Sequence, residues 1–322
     1  MQKLLEAIEN EIKQIEYRTQ PPELYAPIIY LMDLGGKRLR PLLALLGYSL
    51  FKSDWETILK PALSVEIFHN FTLMHDDIMD NAPLRRGKLT VHEKWNTNTA
   101  ILSGDVMLVQ AYQQLLSVEP RFLGKIIKRF NECAAEVCEG QQLDMNFENQ
   151  SIVKENEYIE MIRLKTAVLL GFSLELGGIL AGENEDVTNQ LRNFGEKIGI
   201  GFQLKDDWLD VFGEAQKVGK QVGGDIIANK KTFLLIKAIE QTKGENKKKL
   251  NDWLEAKNFD KDKKIEAMIN IYNQCGISQQ TLDKIETYFK EAFEILDNLH
   301  FTQEENKTHL KNFIEILLHR QN

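Results

Sequence analysis

Two short acidic motifs of identical spacing occur in this 322-residue sequence. DDIMD and DDWLD each place aspartates at their first, second and fifth positions, which gives two sets of three: Asp76, Asp77 and Asp80; Asp206, Asp207 and Asp210. Carboxylates about 5 Å apart repel by roughly 3 kcal/mol per pair at an effective dielectric of about 20. A single DDxxD is typical of a solvated helix end. The repetition beside apolar residues instead favours two sets of oxygen ligands, facing one cavity, for hard divalent ions such as Mg²⁺.

Basic residues recur beside glycines and apolar runs. GGKRLRP (35–41) combines a glycine turn, three cations and a following helix, a setting that is compatible with phosphate binding. PLRRG, RLKTA and GKQVGGDIIANKKTF add further cations. The candidates are Lys37, Arg38, Arg40, Arg85, Arg86, Lys165, Lys220, Lys230 and Lys231. Any one of them alone would be expected to be solvated, and it is their shared placement that favours an anion site.

The composition excludes several classes of protein. A net charge of −8 argues against nucleic acid as a partner. The sequence contains no run of about 18 uncharged apolar residues, so we expect no stable membrane insertion. The charged N-terminus lacks a signal-peptide core. Three cysteines without metal-type spacing do not form a disulfide framework, so we expect a reduced cytoplasmic compartment.

Helical periodicity dominates the chain, which has only 7 prolines and 20 glycines. Apolar residues form one stripe near each terminus: Leu4, Leu5, Ile8, Ile12 and Ile15; Ile285, Phe289, Phe293, Ile295 and Leu296. Alternating strand patterns are absent. The sequence therefore predicts an all-α protein with a single domain over residues 1–322.

Three segments have a more specific expected environment. Residues 100–116 and 167–180 are apolar on all sides, which predicts burial either in the core or at a subunit interface. The small residues of GFSLELGGILAG (171–182) permit close contact between helices. The lysine-rich stretch 244–267 predicts a solvated helix–loop–helix surface.

The motifs occur in an order that resembles the trans-isoprenyl diphosphate synthases, the polyprenyl synthetase family. The matching segments are GGKRLRP, DDIMD with LRRG, GD (104–105), EGQQLD (139–144), KTA, GFQLKDDWLD and GK…GGD…NKKTF. The resemblance runs from about Gly35 to Phe233 and implies the isoprenoid synthase fold, a bundle of antiparallel helices around a central cavity. Two features depart from common members. Asn229 replaces a frequent glycine, and the first motif lacks the two-residue insertion of many bacterial farnesyl synthases, which bears on product length.

The resemblance implies a trans-prenyltransferase that condenses isopentenyl diphosphate with an allylic diphosphate, by magnesium-assisted ionisation to an allylic carbocation, into a C15–C20 product. It implies three Mg²⁺ ions bridging the allylic diphosphate to Asp76, Asp80 and Asp206, with Asp77, Asp207 and Asp210 as outer or alternative ligands. The same diphosphate would be held by Arg85, Lys165, Gln203, Lys220 and Lys230. Thr166 and Gln203 would present oxygen dipoles to the cation. A homodimer is also implied.

Two further assignments have a competing explanation. Lys37, Arg40, His69 and Arg86 would form the metal-free pocket for isopentenyl diphosphate, although a histidine on an apolar face is often a packed core residue. Phe71, five residues before the first motif, would be the floor that limits chain length, with Thr72 above it. An aromatic residue on a buried helix often only packs the core.

Four alternative functions remain open. A longer-chain polyprenyl diphosphate synthase would share every motif. A class I terpene cyclase shares the ionisation chemistry but seldom keeps a second DDxxD and GGKR. A metal-dependent phosphohydrolase is suggested by the His75–Asp76 pair but needs more histidines than His69 and His92. A non-catalytic synthase subunit would be expected to have lost aspartates.

Overall fold

The structure is a computed structural model that describes residues 1–213 and 223–319. The described chain is almost entirely helical, so the all-α prediction is confirmed. The α-helices are α1 (Gln2–Lys13), α2 (Pro22–Asp33), α3 (Leu39–Ser49), α4 (Leu59–Met79), α5 (Val91–Lys94), α6 (Thr97–Leu115), α7 (Pro120–Glu148), α8 (Glu155–Ile162), α9 (Val168–Ala181), α10 (Glu185–Phe212), α11 (Gly224–Ile227), α12 (Phe233–Gln241), α13 (Gly244–Glu255), α14 (Lys261–Gln274), α15 (Ile277–Asn298) and α16 (Glu304–His319).

Short elements interrupt this helical order. Trp55–Ile58 forms a 3₁₀ helix before α4, and Arg163–Ala167 forms one π-helical turn between α8 and α9. Strands β1 (Leu84–Arg85) and β2 (Lys88–Leu89), each two residues long, form an antiparallel hairpin after α4. The sequence patterns predicted none of these three elements, because each is too short to show a periodicity.

The chain divides into two compact units. The first contains Met1–Cys133, Phe172–Arg192 and His300–His309, and the second contains the described residues of Ala134–Gly171, Asn193–Leu299 and Leu310–Asn322. The prediction of a single domain with a central cavity stays a prediction.

The first unit is held by close helix contacts. α4 packs along α6, and the apolar faces of α3 and α4 are buried. Gly177 lies so close to α3 that a Cβ atom there would stand 2.3 Å from the Ala44 carbonyl oxygen. Gly47 meets the Leu174 carbonyl in the same way, at 2.7 Å. The expectation that residues 171–182 permit close helix contact is therefore confirmed for Gly177.

The second unit has its own apolar core. Ile226, Leu234, Met268 and Tyr272 are among the residues buried together there. The lysine-rich stretch does form two helices, α13 and α14, with mostly exposed lysines. The prediction of a solvated surface does not hold at Lys264, whose side chain is buried, because the helix turns this position toward α11.

Two long apolar segments differ in burial. Glu155–Ala181 is long and apolar enough to cross a membrane by length and composition, but 89% of its apolar window is buried within the protein. Such burial is typical of a core helix in a water-soluble protein. α6, in contrast, leaves large apolar side chains exposed at Leu102 and Val109.

Candidate active site

The first aspartate motif ends α4, and its middle residue is its anchor. Asp77 is only 2% exposed, and both of its carboxylate oxygens accept hydrogen bonds from the Arg85 guanidinium at 2.8–3.0 Å. Asp76 is half-buried, and Asp80, which caps the helix, is exposed. The motif therefore offers Asp76 and Asp80, rather than Asp77, on its accessible side.

A tight hairpin positions the arginine that holds Asp77. Arg86 and Gly87 both have positive φ, 52° and 74°, between the paired residues Arg85 and Lys88. This is the backbone that a two-residue hairpin turn requires, and glycine adopts it without strain. Arg86 adopts the same positive φ although it is not a glycine. Such a conformation persists in proteins where the surrounding structure enforces it.

Two predicted basic motifs meet in the first unit. The Arg86 guanidinium lies against Gly36, where a Cβ atom would stand 3.0 Å from Nη2. Gly36 directly precedes Lys37, which is exposed. Gly36 of GGKR therefore leaves room for Arg86 of LRRG, and the two motifs lie in contact.

His69 lies among these cations. Burial, followed by the positive charges of Arg40, Arg85 and Arg86, lowers the pKa of the imidazole well below its usual value. The ring is consequently neutral near pH 7. It can donate a hydrogen bond to an anion while the surrounding guanidinium groups supply the charge.

Arg38 has a structural role in the same loop. Its side chain is buried and donates to Glu66 and to Glu9 at 2.8 Å, and to the Met32 carbonyl at 2.9 Å. It precedes α3 in the left-handed conformation, with φ of 47°. These hydrogen bonds anchor the loop, so Arg38 has a structural role here.

The second aspartate motif repeats the pattern of the first. Asp207, on α10, is 4% exposed and accepts hydrogen bonds from the Tyr158 hydroxyl and from Gln203 Nε2, the latter at 2.9 Å. Asp206 and Asp210 are half-buried. In both motifs, the middle aspartate is the buried anchor.

Asp207 lies in an environment that disfavours its ionised form. Burial, with the negative charge of Asp225 as the next contribution, raises the pKa of Asp207 to about 7, although Lys230 opposes the shift. Asp225 is held beside the motif, because its backbone N–H donates to Asp210 Oδ2 at 2.9 Å. A cation bound at this motif would stabilise its ionised form.

The π-helical turn carries two predicted residues. Lys165 Nζ donates to Asp144 Oδ2 at 2.6 Å, and Thr166 Oγ1 donates to Gln203 Oε1 at 3.1 Å. A Cβ atom at Gly140 would lie 2.2 Å from the Lys165 backbone nitrogen. The glycine of EGQQLD thus lets α7 touch this turn, and π-helical turns are frequent at functional sites.

Protein ligands alone do not complete a metal site. Within residues 1–213 and 223–319, no three His, Cys, Asp or Glu side chains are grouped so that they could hold an ion together. Mg²⁺ is usually bound through one or two carboxylates with water and substrate phosphates. The second motif has partly accessible aspartates beside Asp207, a buried carboxyl group that a bound cation would stabilise in its ionised form. This arrangement fits magnesium that arrives together with a diphosphate.

The predicted floor residue lies in an aromatic cluster. Phe71 is half-buried, with ring-centroid distances of 5.5 Å to Phe68 and 4.8 Å to His75. His75 Nε2 is 3.2 Å from the Ile101 carbonyl oxygen, and its ring occupies the space above Gly104. This packing ties the His75 ring to α6, and the floor role and the core role of Phe71 both stay predictions. Thr72 donates to the His69 carbonyl at 2.8 Å.

The sequence reasoning missed several residues, and Lys220 lies outside the described residues. The missed residues are Gly36, Gly140, Asp144, Tyr158 and Asp225. A glycine inside a helical pattern could have indicated the close helix contact at Gly140. Asp144 and Asp225 belong to the quoted motifs EGQQLD and GGD. Tyr158 gave no signal, because it is 49 residues from its partner Asp207.

Comparisons with known proteins agree on one family. The polyprenyl synthetase family model matches residues 21–272. A short chain isoprenyl diphosphate synthase of Methanocaldococcus jannaschii is 40% identical over 269 residues, 83% of this chain and 81% of that protein. A geranylgeranyl diphosphate synthase of Methanosarcina mazei is 38% identical over 305 residues, 94% of this chain and 91% of that protein. A crystal structure of a geranylgeranyl pyrophosphate synthase has a TM-score of 0.95 at 41% identity, covering 100% and 99% of the two chains.

Proposed function

The chain belongs to the polyprenyl synthetase family, and we propose that its two aspartate motifs bind magnesium for the ionisation of an allylic diphosphate. The protein is a trans-prenyltransferase of the short-chain type, which joins isopentenyl diphosphate to an allylic diphosphate. Enzymes of this family are generally magnesium-dependent. The observation that carries the proposal is the shared design of the motifs, in which a buried middle aspartate leaves two aspartates accessible.

Magnesium would be held by Asp76, Asp80, Asp206 and Asp210, with Asp77 and Asp207 as anchors that orient them. When bound, the metal supplies Lewis-acid neutralisation of the leaving diphosphate. Lys165 and Lys230 would hold phosphate oxygens of the same group, and so would Arg85 and Lys220. We expect three Mg²⁺ ions to be bound when the substrate is present.

The chain's own groups support the chemical step. The C–O bond of the allylic diphosphate breaks, pyrophosphate leaves with the electron pair, and the double bond of isopentenyl diphosphate attacks the resulting carbocation. Thr166 and Asp207 fix the orientation of the Gln203 amide through hydrogen bonds at 3.1 and 2.9 Å, so that its oxygen dipole is preorganised. Proton loss to the released pyrophosphate gives a product longer by five carbons.

A direct assay tests this proposal. The protein is incubated with dimethylallyl and isopentenyl diphosphates and magnesium, and the prenyl alcohols are identified after dephosphorylation. Alcohols of C15–C20 support the short-chain assignment, and longer ones would support a polyprenyl synthase. Cyclic hydrocarbons from a parallel incubation with geranyl or farnesyl diphosphate would indicate a cyclase. Phosphate release without chain growth would indicate a phosphohydrolase, and no reaction would indicate a non-catalytic subunit.

We expect Lys37→Ala and Arg40→Ala to weaken the use of isopentenyl diphosphate. Each removes a charge-assisted contact near neutral His69, at a cost on the order of 1.5–3 kcal/mol in binding. Initial-rate kinetics should show a higher KM for isopentenyl diphosphate and an unchanged KM for the allylic substrate. Lys60→Ala, which alters an exposed lysine of α4, is the control. A rise confined to the allylic KM would mean that the two pockets had been assigned in the wrong order.

We expect Phe71→Ala to lengthen the main product by at least one five-carbon unit, because it removes a bulky ring from the proposed floor. Truncating a buried phenylalanine also costs roughly 3–5 kcal/mol of folding free energy where it serves as core. Phe68→Ala, in the fully buried neighbouring ring, is the matched control and should destabilise without changing length. Chromatography of the dephosphorylated products decides: unchanged length from active Phe71→Ala protein would exclude the floor role.

A homodimer is also proposed. Leu102 and Val109 of α6 and Leu116, which directly follows that helix, are spaced seven residues apart and are 58%, 56% and 64% exposed. Such a stripe suits a helix of a second copy, and it supports the interface alternative that was expected for residues 100–116. Sedimentation of the protein as a monomer at micromolar concentration would contradict this proposal. We also propose a cytoplasmic compartment, as expected for a chain whose three cysteines, all within the described residues, form no disulfide bond.

A further inference from the structure

Lys264 is a buried cation of α14. Its Nζ donates to Asn229 Oδ1 at 2.7 Å and to the Ile227 carbonyl at 3.4 Å, and it lies 4.2 Å from the centroid of the Phe259 ring. Among the described residues, no carboxylate forms an ion pair with it. The charge is thus compensated by an amide oxygen, a carbonyl and an aromatic face.

This arrangement is costly by the usual physical rules. Burial of an ammonium group without a carboxylate partner disfavours its charged form, and burial lowers the pKa of Lys264 accordingly. Lys261 and Lys263 occupy the same helix and are exposed, so the lysines of this stretch otherwise remain solvated. The contacts that Lys264 makes in the interior therefore need a reason.

The contacts hold one turn of backbone. α11 ends at Ile227, and Asn229 follows in the left-handed conformation with φ of 54°. The Asn229 side chain bridges two partners, since its Oδ1 accepts from Lys264 and its Nδ2 donates to the Leu254 carbonyl at 3.1 Å. The Lys230 backbone N–H donates to the Asp225 carbonyl at 2.9 Å and closes the turn.

The same segment supplies charged groups to the second aspartate motif. Asp225 donates its backbone N–H to Asp210 Oδ2, and Gly223 donates to the Asp210 carbonyl at 2.6 Å. The negative charge of Asp225 and the positive charge of Lys230 both act on Asp207. Ile265, next to Lys264, fills the space at Gly223, where a Cβ atom would lie 2.7 Å from it. α14 therefore contacts both ends of residues 223–230.

We propose that Lys264 is a positioning residue, which through Asn229 and the Ile227 carbonyl holds residues 223–230 so that Asp225 and Lys230 stay at the second aspartate motif. The proposal rests on the proposed function of that motif in binding the allylic diphosphate. It also accounts for Asn229, the residue that departs from the frequent glycine: its side chain is the acceptor that Lys264 uses.

Kinetics provide the first test. Lys264→Met keeps the length of the side chain and removes its charge and hydrogen bonds. We expect the KM for the allylic diphosphate to rise about ten-fold, which corresponds to an effect within the range of interaction energies seen for residues in contact. The KM for isopentenyl diphosphate should change less than about two-fold. Lys263→Met, one position away and exposed, is the matched control and should match the parent. Equal rises in both KM values, or no difference from the control, would overturn the proposal.

A double-mutant cycle provides the second test. Asn229→Gly keeps the left-handed backbone accessible, so this variant tests the proposal even if Lys264→Met does not fold. We expect Asn229→Gly to raise the allylic KM in the same direction, and the double variant to be no worse than Lys264→Met alone. Fully multiplicative effects would show that the two residues act independently and would refute the proposal.

Hydrogen exchange separates this proposal from the proposed function. In protein free of metal and substrate, Lys264→Met should speed exchange of the backbone amides at 227–230 about ten-fold and leave α12 unchanged. Equal acceleration in α12 would mean that Lys264 only stabilises the whole unit, and no acceleration would mean that it does not hold the turn. Because this measurement involves no catalysis, its outcome is independent of whether the aspartate motif binds the allylic diphosphate.

Discussion

Asp206→Ala should reduce turnover by about three orders of magnitude or more, because it removes a proposed magnesium ligand from the ionisation step. Metal binding supplies several kcal/mol to such a step, and each 1.36 kcal/mol corresponds to a factor of ten in rate. Asp76→Ala should have an effect of similar size. Both aspartates are half-buried, and the buried anchors Asp77 and Asp207 keep their partners, so both variants should fold.

The measurement is steady-state condensation at saturating magnesium, with circular dichroism to confirm folding. Asp252→Ala, an exposed aspartate of α13, is the control for the same change in charge and should retain parental activity. Near-parental turnover by a folded Asp206→Ala or Asp76→Ala variant would show that the metal ligands have been assigned wrongly.

Gly140→Ala should both destabilise the protein and impair catalysis. The added methyl group would lie 2.2 Å from the Lys165 backbone nitrogen and 2.6 Å from its Cα, so α7 or the π-helical turn must move. Forcing atoms into a packed contact typically costs about 1–3 kcal/mol. Displacement of the turn also moves Lys165 and Thr166, so we expect a loss of turnover of at least about ten-fold.

Gly124→Ala is the matched control, because Gly124 lies on the same helix with open space where the methyl group would go. Alanine is favoured over glycine in a helix by about 1 kcal/mol, so this variant should be neutral or more stable. Thermal unfolding and condensation rates of the two variants test whether the close contact at Gly140 is needed for stability and catalysis. Equal stability of Gly140→Ala and Gly124→Ala would show that α7 does not need its close contact with Lys165.

Much of the protein could be predicted from local sequence patterns. Apolar residues at helical spacing identified α1 and α15, since Leu4, Ile8 and Ile12, and Ile285, Phe289 and Leu296, are buried as their stripes predict. The order of the motifs identified the family before any geometry was known. Both results depend on residues close together in the chain, where spacing alone decides which side chains share a helix face.

Long-range contacts decided the rest. Spacing placed three aspartates in each motif but could not show that the middle one is the buried anchor, because Tyr158, a partner of Asp207, lies 49 residues earlier, and Arg85, the partner of Asp77, lies on the β-hairpin beyond the end of α4. A lysine-rich surface likewise concealed Lys264, whose burial depends on a turn 35 residues earlier. The sequence by itself therefore determined the helices, the family and the candidate residues. Only the tertiary structure decided which of those charges are buried and paired, because burial depends on which distant segments pack against each helix face.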